Sequence, residues 1–304
     1  MTPSPRQPRA RAARAPLALA AAALLLGGCA SSGATAARSD PNQREWLDIF
    51  NGRDLSGWIV KIAKHDVGEN FGDTFRVADG MIQVRYDQYG DFDGQYGHLY
   101  YDQSLSHYLA SLEYQFTGDV QPGAPSFVLL NSGIMVHALD PRTMLRDQDW
   151  PISVEMQFYA EIPGGNPRPT GNMCSPGTNI FYNGQLDTRH CISASGRALP
   201  KDAWVRAEVL VLGDSVVKHI VNGDTVLTYT RPQIGGGTVS GHNPAVKQDG
   251  KLLSEGYLAL QSEGQPINFR NIRLLNLKGC TDPQASNYKT YFVKSDNSTC
   301  RYGS

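Results

Sequence analysis

The sequence predicts an all-β fold, a sandwich or jelly roll of antiparallel strands, and three observations carry it. Apolar residues alternate with polar ones over short runs instead of recurring every three or four positions. Turn-forming pairs such as Asn51-Gly52, Asp79-Gly80 and Asn222-Gly223 stand between those runs. The 31 glycines and 18 prolines leave no long 3.6-period apolar stripe on which a helix could pack.

In order, residues 46–50 read as a short strand ending at Asn51-Gly52, and Gly57-Trp58 opens another extended stretch. Residues 75–77 and 81–86, joined through Asp79-Gly80, read as a hairpin, because Asp-Gly accepts the positive φ of a tight turn. Residues 98–101 and 108–116 follow; in the second, Tyr108, Ala110, Leu112, Tyr114 and Phe116 share one face. Residues 126–130 lead into two strands, 133–137 and 152–159, flanking a polar loop. Asp147 and Asp149 of that loop are expected to pair with Arg142 and Arg146. Residues 162–200 read as a long Gly/Pro-rich loop pinned by Cys174 and Cys191, and a loop of that length points to function. Residues 205–212, 216–221 and 226–229 form an antiparallel group; 256–261 and 267–277 close the domain. There is no strong internal repeat and no βαβ alternation.

The first 28 residues lie outside this pattern. Arg6, Arg9, Arg11 and Arg14 precede an apolar run, 16–26, too short to span a bilayer. The run ends in Leu26-Gly27-Gly28-Cys29, which resembles a bacterial lipobox, and that resemblance implies that Cys29 becomes the lipidated first residue of an envelope lipoprotein. Ala30 in place of an inner-membrane retention Asp implies outer-membrane sorting. Residues 29–44 are then a tether, 45–277 the main domain and 278–304 a Cys-bracketed terminal module. Loss of four arginines and no acids takes the formal charge from −1 to −5. A mildly acidic chain has no electrostatic footprint for nucleic acid.

With Cys29 lipidated, Cys174, Cys191, Cys280 and Cys300 remain, an even number in an oxidising compartment. Three pairings are open, and sequence proximity favours 174–191 with 280–300. No C-x-x-C occurs, and no close His/Cys pair beyond His190-Cys191, so zinc is the weaker reading. No cofactor is expected. A divalent metal could assist, but the sequence does not indicate one; Asp282, Asn287 and Asp296 offer the oxygen ligands of a calcium site.

The candidate site centres on the 152–159 strand. Val154, Met156 and Phe158 point one way, Ser153, Glu155, Gln157 and Tyr159 the other, which sets a carboxylate and an amide side by side on a polar face. Gln261 and Glu263 repeat that spacing. Residues 49–58 (IFNGRDLSGW), Asn131-Ser132-Gly133-Ile134, Val154-Glu155-Met156-Gln157, Val221-Asn222-Gly223 and the closing Gln261-Ser262-Glu263-Gly264 with Asn268-Phe269-Arg270-Asn271-Ile272 resemble, in order, the motifs of the 3-keto-disaccharide hydrolase domain family. The resemblance implies a concanavalin A-like sandwich and action on sugars already oxidised at C3, by hydrolysis or by elimination and hydration.

A ketone at C3 acidifies the hydrogen on C2, so the implied chemistry needs a base, an acid near the glycosidic oxygen and donors for an enolate. Glu155 is the first choice as base or acid, Glu263 the second carboxylate and His137 a proton carrier. Asn131, Gln157 and Gln261 would bond sugar hydroxyls. Arg270 would stabilise an oxyanion or pair with Glu263, His190 would cover the substrate, and Trp150 would stack on a sugar ring. The E-x-D-x-x-E pattern of sandwich glucanases is absent: Gln157 stands at the Asp position, and Glu161 falls one residue late. The alternative from another class is a lectin-like protein that binds carbohydrate in the same groove without cleaving it.

Overall fold

The computed structural model describes Met1 and residues 40–303. The signal segment, the lipobox cysteine Cys29 and most of the tether lie outside the described residues. In chain order the strands are β1 (Trp46–Asp48), β2 (Trp58–Ile62), β3 (Phe75–Ala78), β4 (Met81–Val84), β5 (Gly97–Tyr101) and β6 (His107–Phe116). Next come β7 (Asn131–Ala138), β8 (Val154–Tyr159), β9 (Asn172–Cys174), β10 (Thr178–Tyr182), β11 (Gln185–Asp187) and β12 (Cys191–Ile192). The rest are β13 (Val205–Leu212), β14 (Val216–Val221), β15 (Asp224–Ile234), β16 (Tyr257–Ser262), β17 (Ile267–Asn276), β18 (Lys278–Gly279) and β19 (Lys294–Ser295). Among the described residues the only helices are short 3-10 turns, none long and apolar enough to cross a membrane.

The main strands form two antiparallel sheets. One runs β11-β10-β15-β14-β13-β6-β17-β4-β3, with β1 also on β17; the other runs β12-β9-β8-β7-β16-β5-β2. Their facing sides bury one core, in which Tyr114 of β6 stacks on Phe158 of β8 at 4.2 Å. This is the all-β jelly roll expected from the alternation, of the concanavalin A-like kind that the family resemblance implied. The opening motif is a local scaffold: Asn51 Oδ1 accepts from the Arg53 and Asp54 amides, and the Trp58 indole donates to the Ile49 carbonyl at 2.9 Å.

One expectation changes. Residues 162–200 do not form a structureless loop: β9 and β12 extend the seven-stranded sheet, and β10 and β11 extend the other. Strands of two to five residues among glycines and prolines are too short to show alternation. Cys174 and Cys191 sit directly opposite each other on β9 and β12, and their sulfurs are bonded.

In the tail Cys280 is bonded to Cys300, and β18 pairs with β19 in parallel. Lys289, buried at 2% exposure, donates to the Asp40 carbonyl at 3.1 Å and pairs with Glu45. The proposed calcium ligands are otherwise engaged. Asp282 accepts from Gln284 and Tyr302, Asn287 bonds Thr299 and Arg301, and Asp296 pairs with Lys278 at 3.2 Å.

Candidate active site

The seven-stranded sheet turns one face to the core and the other to a cavity of about 410 Å³. Register explains the floor of that cavity. Asn172 of β9 lies opposite Gln157 of β8, Gln157 opposite Gly133 of β7, and on the far side Gln261 of β16 opposite His98 of β5 and His98 opposite Lys61 of β2. A polar row therefore crosses the sheet. The next row is mostly apolar: Met135, Ala259 and Tyr100 are consecutive partners, and they pack under Met144 of the 139–151 loop. Glu155 belongs to that row, opposite Met135. Its side chain leans over Gly133 into the polar row; a Cβ on Gly133 would stand 2.8 Å from Glu155 Cγ. The glycine of the Asn-Ser-Gly-Ile motif is what lets the carboxylate lie there.

Asn131, Trp150, Glu155, Gln157, His190 and Glu263 all line the cavity. Gln261 is on the same floor but fully covered, at 1% exposure. Asn172 Nδ2 donates to Gln157 Oε1 at 3.1 Å, so the Gln157 amide nitrogen is the group left to donate to a ligand. Trp150 packs against Tyr96 at 4.3 Å. Burial pushes the Glu155 carboxyl up from 4.5 to about 8. Burial, then repulsion from Glu155, raises Glu263 well above the carboxylate range. Two buried carboxyls that repel each other are not both ionised near neutrality.

Two predicted site residues are not brought to the cavity. His137 sits in a β-bulge: Tyr257 pairs with Ala138 and Ala259 with Met135, so Val136 and His137 together oppose Leu258. The extra residue, at φ +52°, reverses the alternation, and the imidazole bonds the Gly213 carbonyl of the other sheet at 3.1 Å. Burial lowers its pKa to about 4, so it is a neutral structural histidine. Arg270 lies on β17, in the other sheet, where it pairs with Glu113 at 2.7 Å and covers Trp204 at 3.7 Å. The 139–151 loop also pairs differently from expectation. Arg142 meets Asp102 and Asp140, Arg146 meets Asp66, and Asp149 accepts from the Trp150 and Ser240 amides. Lys61, buried, ties the loop down through the Arg146 carbonyl at 2.9 Å.

Sequence reasoning put Tyr159 on the polar face but gave it no role, and it missed Phe127, Pro176, Thr238 and the disulfide as cavity walls and His98 buried in the floor. His98 is fully buried with no hydrogen-bond partner on either ring nitrogen, and burial, then Lys61, lowers its pKa to about 3. Its alternation with Leu99 in a four-residue run was the available signal. Cys174, His190 and Cys191 are close enough together to hold a metal, but the two sulfurs are bonded to each other and so are not ligands.

Buried atoms lacking a partner concentrate here. Asn131 Oδ1, Glu155 Oε1, Gln261 Oε1 and Glu263 Oε2, together with His98, all lie on this floor. Buried polar groups are normally bonded, so this run of unpartnered oxygens, two amide acceptors and two carboxyls, marks a place where a ligand rich in hydroxyls, which both donate and accept, completes the bonding.

No curated protein matches the chain significantly. Among solved structures, a candidate glycosyl hydrolase from Parabacteroides distasonis is 17% identical, with a TM-score of 0.47 over 77% of this chain and 100% of its own. The carbohydrate binding module CBM66 from Bacillus subtilis is 12% identical, with a TM-score of 0.41 over 72% and 96%. At those scores neither carries an argument about chemistry. The sequence match is of a different order. Residues 45–275 fit the model of the 3-keto-alpha-glucoside-1,2-lyase-like domain, and the chain belongs to that family.

Proposed function

We propose that the protein cleaves 3-keto-glycosides in this cavity by elimination, with hydration of the product. The observation that carries the proposal is the pair of buried, mutually repelling carboxyls set among unpartnered acceptor oxygens. Membership of a family described as 3-keto-alpha-glucoside-1,2-lyase-like supports it.

In the ionised state Glu155 takes the proton from C2. The C–H electrons pass into an enolate with the C3 oxygen, toward which the Gln157 amide nitrogen donates. The enolate then expels the C1 substituent: a C1=C2 double bond forms, the C3 ketone is restored, and Glu263, still protonated, gives its proton to the departing oxygen. Water adding across C1=C2 yields the free 3-keto sugar. A base with its pKa near 8 is stronger than an ordinary carboxylate and is matched to this work. The rate should climb as pH rises through about 8, as Glu155 ionises, and fall once Glu263 loses its proton.

Aglycone release from a 3-keto-glucoside tests the reaction. Glu155→Gln should slow it by about 10²–10⁴-fold, and in D₂O the recovered sugar should carry deuterium at C2. Binding without turnover by the unaltered protein would leave a lectin instead. The lipobox reading adds an envelope anchor: the protein would face its substrate from a membrane surface, tethered through Cys29.

A further inference from the structure

Resting on that reading, we infer that the leaving-group side of the cavity selects a flat, apolar aglycone, an aryl group, over a second sugar. The polar side chains of the cavity lie on the sheet floor, apart from the His190 ring and the Thr238 hydroxyl, which stand among the walls. The walls are Phe127, Trp150, Tyr159, Pro176 and the Cys174–Cys191 disulfide. At about 410 Å³ the cavity belongs with pockets that enclose a whole small ligand, so there is room for a ring beyond the pyranose.

A pyranose set on the acceptor-rich floor places its C1 substituent against these walls. An aryl ring fills them with apolar contact. A second sugar could stack one face on Trp150 and reach the His190 ring or the Thr238 hydroxyl, but its other hydroxyls would be drawn from water toward the apolar Phe127, Pro176 and disulfide, and each desolvated, unmatched hydroxyl weakens binding. Phe127 adds an independent sign. It stands on a one-turn 3-10 segment at the cavity wall with 51% of its surface exposed, an aromatic ring left to water until an apolar ligand covers it.

The test compares phenyl, methyl and glucosyl 3-keto-glucosides, with binding measured by calorimetry on the Glu155→Gln protein so that no ligand is consumed. Phenyl should bind about tenfold more tightly than methyl, from the extra apolar area covered, and glucosyl no more tightly than methyl. Adding Phe127→Ala should close most of the phenyl–methyl gap. A misfolded site would weaken both ligands in parallel, and that result overturns the assignment of Phe127. Equal or tighter binding of the glucosyl compound overturns the aryl preference itself. Turnover by the unaltered protein is read separately. A phenyl preference with no aglycone release from any of the three would sink the proposed reaction and leave the aglycone inference standing.

Discussion

Gly133 and Glu155 show how a single missing Cβ shapes the site. The carboxylate reaches the polar row only because nothing projects from Gly133, where a methyl group would meet its Cγ at 2.8 Å and its Cδ at 2.9 Å. Gly133→Ala should therefore displace Glu155 and lower turnover by about a hundredfold, with a modest loss of stability on denaturant unfolding. Glu155 also sets a pH dependence. Its folded pKa is raised to about 8 from 4.5, so the folded state holds a proton that the unfolded chain has released. Stability from that proton is complete below the ordinary value and is lost as pH rises through about 8. Glu155→Gln removes the titration. The stability of the variant relative to the parent should grow between pH 5 and pH 8, by at most about 1.4 kcal/mol per pH unit. Thermal melts at the two pH values check it; a constant difference would place the raised pKa elsewhere.

At the scale of elements, the seven-stranded sheet assembles the site by register. Glu155, Asn131, Gln157 and Glu263 were legible because strict alternation puts every second residue on one face, and the turn pairs marked where strands end. His137 was misplaced for the same reason: alternation assumes no bulge, and the bulge at Val136–His137 follows from pairing with β16, a strand more than a hundred residues later. Arg270 was misplaced because period 2 says which face a residue occupies, not which sheet its strand joins. The 162–200 segment held a missed hairpin signal, Asn183-Gly184, both at positive φ between β10 and β11. Its disulfide forms one wall of the cavity. Replacing Cys174 and Cys191 together by serine should lower stability by about 3 kcal/mol, through the freedom returned to the unfolded chain, and should weaken substrate binding. Both follow from denaturant titration and steady-state kinetics of the double variant.

At the scale of the whole molecule, the chain couples an expected membrane tether to a jelly roll whose entry strand is held by its own tail. Residues 40–45 bond Lys289 and Thr290, beside the Cys280–Cys300 module. Cys29→Ser should release the protein from the membrane fraction without altering turnover, checked by fractionation and activity assay; retention in the membrane would refute the lipid anchor. By itself the sequence determined the all-β class, the hairpin turns, the polar face of the 152–159 strand and the family, because these rest on local periodicity and short motifs. Tertiary structure decided which polar residues meet. The elevation of Glu155 needs burial, that of Glu263 needs burial and then repulsion from a residue on a strand far away in the chain, and the exile of His137 and Arg270 needs a bulge and a sheet assignment. Those are properties of long-range pairing, which no local pattern encodes.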